Sequence, residues 1–90
     1  MYQVMVVDDE PMAASLIVNI IKRKYSNFDI MGTAYDGEEA LELMEKKGEP
    51  DVLITDIQMP VMNGLKLVEE TKKRYPEVLS VIVSGYQEFE

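Results

Sequence analysis

Three aspartates and one serine stand where this sequence could do chemistry. Asp8 and Asp9 follow the apolar stretch at residues 3–7, Asp56 follows the stretch at 51–55, and Ser84 follows the one at 78–83. Each stretch is short, apolar and rich in β-branched residues, as buried parallel strands are. In an open parallel sheet, ligands collect just beyond the carboxyl ends of the strands, so each of these side chains is expected at a functional edge. The sequence has no Cys and no His, which leaves carboxylates, hydroxyls and Lys. Imidazole bases, thiolate nucleophiles and zinc thiolate sites are excluded from this segment. Taken singly, an acid after a strand suits a helix cap, and Asp8 and Asp9 before Pro11 suit a helix dipole. Those readings leave unexplained why both acid groups end buried strands.

The elements that must position these residues are legible in order. Residues 3–7 form a first strand. Pro11 opens a helix over Pro11–Lys24, with Met12, Ala13, Leu16, Ile17, Ile20 and Ile21 as its apolar side and Ser15, Asn19, Lys22 and Arg23 outward. Ser26 and Asn27 mark a turn into a strand at 28–34, where Asp29 and Gly32 suggest an edge. Asp36 and Glu39 imitate a capping box for a second helix that buries Ala40, Leu41 and Met44 and ends at Gly48. The strand at 51–55 is expected to be fully buried. Asn63 caps a third helix with Leu65, Val68, Thr71 and Tyr75 on one face, and Pro76 stops it. A fourth buried strand at 78–83 follows, and residues 87–90 suit the first turn of a fourth helix. Strand and helix alternate with short connections, which predicts a parallel, doubly wound α/β sheet.

Composition narrows the function classes. The 90 residues suffice for one small domain, and 47% hydrophobic with 29% charged residues is an ordinary globular balance. The formal net charge is -8, from nine basic and seventeen acidic residues, which disfavours direct nucleic-acid binding by this segment. The beginning carries no basic n-region, and the first apolar run is too short for a signal sequence or a membrane span, so a cytoplasmic location is expected.

Val6-Val7-Asp8-Asp9-Glu10, Asp36-Gly37-Glu38-Glu39-Ala40-Leu41, residues 50–60 with Asp56-Ile57-Gln58-Met59-Pro60, Met62-Asn63-Gly64 and Val83-Ser84-Gly85 together resemble the receiver domain of two-component response regulators. The similarity spans the chain in order and spacing, and the stretch from Ser84 to Glu90 resembles receivers attached to AraC-type DNA-binding domains. The resemblance implies a flavodoxin-like sheet of strand order 2-1-3-4, in which the first and third strands are neighbours and Asp8, Asp9 and Asp56 converge. Clustered carboxylates repel one another, and a divalent cation relieves the cost; an all-oxygen set suits Mg2+ or Mn2+. By resemblance, Asp9 and Asp56 bind the metal directly, the Gln58 backbone carbonyl adds a ligand, and Asp8 acts through water. Asp56 is then the phosphoacceptor for a sensor histidine kinase, and Ser84 hydrogen-bonds the phosphoryl group. The expected output is a switch acting on transcription through a DNA-binding domain elsewhere in the full-length protein, with no turnover on an external substrate.

Departures from the family pattern carry expectations of their own. Receivers have a fifth strand ending in a Lys that pairs with the phosphoryl group, and no Lys or Arg occurs here after Arg74. The segment is therefore read as a receiver incomplete at its C-terminus, with the fourth strand left as an edge through which the chain self-associates or swaps elements. The alternative function is a non-phosphorylated interaction module. An aspartate-based phosphohydrolase ranks third, because the second acid expected two residues after the nucleophile is Gln58.

Overall fold

A computed structural model describes residues 1–83. Seven elements alternate along the chain: β1 (Tyr2–Val7), α1 (Pro11–Lys24), β2 (Phe28–Ala34), α2 (Gly37–Lys47), β3 (Val52–Asp56), α3 (Gly64–Arg74) and β4 (Leu79–Val83). The four strands form one parallel sheet in the order β2-β1-β3-β4. This is the expected flavodoxin-like order, and β2 is the expected edge. Ser84 and the proposed helical turn at 87–90 lie outside the described residues.

Because β1 is flanked on both sides, Val4, Met5, Val6 and Val7 are all buried, and an unbroken apolar run is what a doubly covered strand requires. Its two faces feed two cores. Met5, Val7 and Leu53 pack with Ala40, Leu41 and Met44 of α2 and Leu67 of α3. Val4 and Val6 pack on the opposite face with Ala14 and Ile21 of α1, and Val52 and Ile54 are partly buried there. The expectation of a fully buried third strand therefore holds for one face of β3, while the other is half covered. The β1–β2 register slips between Val4 and Met5, where Ile30 and Gly32 are the successive partners and Met31 is extra.

Three facings differ from the sequence reading. In α1 the inward side is Ala14, Ile17, Val18 and Ile21, whereas Met12, Leu16 and Ile20 are exposed. This helix carries two apolar stripes, and hydropathy alone does not say which one meets the sheet. In α3, Leu67 and Thr71 point inward and Leu65 outward, a rotation of the expected face. The fourth strand is not buried: Leu79 is 63% exposed and Val81, Ile82 and Val83 are exposed as well. Among the described residues β4 pairs only with β3, so an apolar run here reports strand propensity rather than coverage.

Helix boundaries follow capping chemistry. The Asp36 carboxylate accepts the Glu39 amide (2.8 Å) and the Glu39 carboxylate accepts the Tyr35 amide (2.8 Å), a reciprocal arrangement that satisfies two free donors. Asn63 Oδ1 accepts the Lys66 amide (2.8 Å). Gly48 closes α2 at φ 95°, a backbone angle that favours glycine.

Candidate metal centre

Neighbouring strands β1 and β3 end side by side, with Val7 opposite Thr55, so the residues just beyond them meet. One carboxylate oxygen from each of Asp8, Asp9 and Asp56 lies within 4.8 Å of the others. Asp8 is buried, Asp56 half-buried and Asp9 exposed, which grades the cluster from sheet to solvent.

Local hydrogen bonds orient two of the three. Asp8 extends the β1–β2 ladder through its amide, which donates to the Ala34 carbonyl (3.1 Å), and its Oδ1 accepts the Glu10 amide (3.0 Å). Asp56 Oδ1 accepts the amide of Ile57 (2.8 Å), which fixes the carboxylate at the strand end. Burial raises the Asp8 carboxyl above its ordinary value; the Glu10 amide opposes the rise, and the negative charges of Asp56 and Asp9 add to it. A group held under such repulsion favours either a proton or a cation. All the donors are hard oxygens, and three carboxylates leave room for water, so the donor set fits Mg2+ or Mn2+.

The loop at 57–63 is fixed by a second set of contacts. The Gly64 amide donates to the Ile57 carbonyl (2.7 Å), and a Cβ at Gly64 would overlap the backbone carbonyl oxygen of Asp56. Only glycine lets α3 start this close to β3. Met59 is buried in the larger core and Met62 packs against it. Between them the Met62 amide donates to the Pro60 carbonyl (2.7 Å), a three-residue turn with Val61 at φ 68°.

Of the residues singled out in the sequence, Asp8, Asp9 and Asp56 are brought together. Gln58 sits in the loop with its side chain exposed, and Ser84 follows Val83, which is in register with Asp56. The sequence reading did not anticipate a positive φ at Val61 or the contact between Met62 and Gly37. A β-branched residue is among the last that propensity would put in that region. The cluster Pro60 to Gly64 signals a turn without specifying its type.

An all-parallel α/β sheet that gathers three aspartates at the carboxyl ends of its central strands defines a flavodoxin-like domain with a carboxylate-only centre. Within that class the chain belongs to the response regulator receiver domain family, whose profile matches residues 4–90. It is 34% identical over 90 residues to YesN of Bacillus subtilis, described as an uncharacterized transcriptional regulatory protein, covering 100% of this chain and 24% of that one. It is 37% identical over 86 residues to a protein-glutamate methylesterase/protein-glutamine glutaminase of Pyrococcus horikoshii, covering 96% of this chain and 23% of that protein. A solved structure, a two component transcriptional regulator AraC from Clostridium phytofermentans, superposes with a TM-score of 0.84 at 34% identity, covering 97% of this chain and 69% of that chain. The chain spans between 24% and 35% of the length of the first curated relatives it matches.

Proposed function

We propose that this receiver domain accepts a phosphoryl group on Asp56 in a reaction that depends on a divalent cation, Mg2+ or Mn2+, and that the acyl phosphate switches a transcriptional output. The observation that carries this reading is the approach of Asp8, Asp9 and Asp56 to within 4.8 Å at the ends of β1 and β3. Asp9 and Asp56 would hold the cation directly with the Gln58 carbonyl, and Asp8 through water. When bound, the cation neutralises the carboxylates and the charge on the equatorial phosphoryl oxygens.

The rest is the work of the chain. The Asp56 carboxylate, oriented by the Ile57 amide, attacks phosphorus of a phosphohistidine on a sensor kinase. The new oxygen–phosphorus bond forms as the nitrogen–phosphorus bond breaks, and the imidazole leaves with its electron pair and takes a proton from solvent. Ser84 would then donate to a phosphoryl oxygen. The added charge of about -1.5 to -2 biases the loops around Asp56 between two arrangements. The domain is in this reading a stoichiometric acceptor rather than a turnover enzyme, even though some relatives are named for methylesterase and glutaminase activities. Its partners would be a sensor histidine kinase and a DNA-binding domain of the same protein, in keeping with relatives named as transcriptional regulators. The reading places the domain in the cytoplasm; no helix of the described residues is long and apolar enough to cross a membrane.

Intact-mass measurement after incubation with acetyl phosphate tests the reading. A phosphoryl adduct is expected with Mg2+ and none with a chelator; equal labelling in the two, or none in either, contradicts it.

One observation favours a second reading, association through β4. Leu79, Val81, Ile82 and Val83 are exposed on a strand that, among the described residues, pairs on one side only, an arrangement open to pairing with a second copy. Sedimentation velocity across a concentration series is expected to show a rising mass, and a constant monomer mass excludes this reading.

A further inference from the structure

Two features of the loop after β3 have no part in the acceptor chemistry described above. The first is Val61, a β-branched residue at φ 68° that is 81% exposed. Positive φ strains such a residue, and it persists only where the surroundings over-determine the backbone. Val61 makes no buried packing of its own, so its neighbours must impose the turn. The second feature is the pair that does so. Met59 is sunk in the larger core, and Met62 packs against that core from the other side of the turn. Met62 also lies directly over Gly37 at the start of α2. A Cβ at Gly37 would stand 2.8 Å from Met62 Sδ, 2.9 Å from Cγ and 3.0 Å from Cβ. The seat exists only because residue 37 has no side chain.

We propose that Met62 is a positioning residue for the cation centre: seated on Gly37, it holds the loop at 57–63 in the backbone path that the centre requires. The inference rests on the cation reading above, in which the Gln58 carbonyl is a ligand. Gln58 lies between Asp56 and the buried Met59, so its peptide is held from both directions only while the turn at Val61 is closed. Without the Met62 anchor, Val61 relaxes out of the positive region and the Gln58 peptide is free to rotate. The α2 N-terminus, capped by Asp36, thereby becomes part of the support of the β3 end.

Gly37→Ala separates positioning from general stability. Alanine favours the helical start that glycine disfavours, so the helix gains while the Met62 seat is filled. The measurement is calorimetric titration of the 90-residue chain with Mg2+, with far-UV circular dichroism following thermal unfolding. Met62→Ala and Gly37→Ala are each expected to weaken Mg2+ binding by about tenfold, as loss of supporting contacts around a metal does, while Met62→Leu, which refills the seat, stays within about twofold of the parent. Gly37→Ala is further expected to keep the parent's thermal midpoint or exceed it. Parent-like Mg2+ affinity in both Met62→Ala and Gly37→Ala overturns the inference. A parent chain that binds no Mg2+ overturns the cation reading beneath it, and the two failures are told apart by the parent titration.

Discussion

The residue whose environment departs most from its needs is Asp8. It is buried beside two other acids, and burial lifts its carboxyl above the ordinary value of 3.8, against the pull of the Glu10 amide and with the push of Asp56 and Asp9. The folded chain therefore holds this proton more tightly than the unfolded chain does. Between the ordinary value and the raised one, folding takes up a proton, so this group's contribution to stability improves as the pH falls through that window. Above the raised value the ionised group costs stability. Asp8→Asn keeps an acceptor for the Glu10 amide and removes the charge, so it is expected to raise the thermal midpoint of the metal-free chain at neutral pH. Saturating Mg2+ should stabilise the parent more than the variant. A lower midpoint for Asp8→Asn without metal would show that the acid is held by favourable contacts instead.

At the scale of elements, the helices rest on a few polar contacts whose removal has a calculable direction. Asn63→Ala removes the acceptor of the Lys66 amide and is expected to destabilise the fold by ~1 kcal/mol in urea unfolding. Thr71 is the converse. Its Oγ1 is buried in α3 without a hydrogen-bond partner among the described residues, and Thr71→Val replaces the hydroxyl with a methyl of similar shape. The expected gain is about 1 kcal/mol, read as a higher urea midpoint at unchanged slope. The α3 ion pairs of Glu70 with Lys66, Lys73 and Arg74 span 3.7–3.9 Å at the surface and are expected to contribute little. These elements also show what a sequence carries. The bounds of α1 and β2, the caps at Asp36 and Asn63 and the stop at Gly48 were legible because capping and turn chemistry is local. The convergence of Asp8, Asp9 and Asp56 needed only strand order in addition, and the family resemblance supplied that. The facings of α1 and α3 were not legible, since Leu16 and Ile17, or Leu65 and Leu67, are equally apolar and tertiary contacts choose between them. The turn at Val61 was hidden for a related reason: its cause is Met62 on Gly37, twenty-five residues away in the chain.

At the scale of the molecule, the sheet is a scaffold that brings two strand ends together, with α1 covering one face and α2 and α3 the other. Its central strand β1 supplies two acids and β3 the third, so the centre forms only when the parallel pair is in register. Gly64 ties the third helix to the same place, because any side chain there would displace the Asp56 carbonyl. Gly64→Ala is accordingly expected to cost the fold more than the loss of a helix cap does, measured as a lower unfolding midpoint than that of Asn63→Ala. The central claim is that this scaffold makes Asp56 the phosphoacceptor. Its most direct test is tandem mass spectrometry of the chain after acetyl phosphate and Mg2+, beside an Asp56→Asn variant shown by circular dichroism to be folded. The account predicts a phosphoryl group on Asp56 in the parent and no adduct in the variant; an adduct on another residue, or equal labelling of the folded variant, would contradict it.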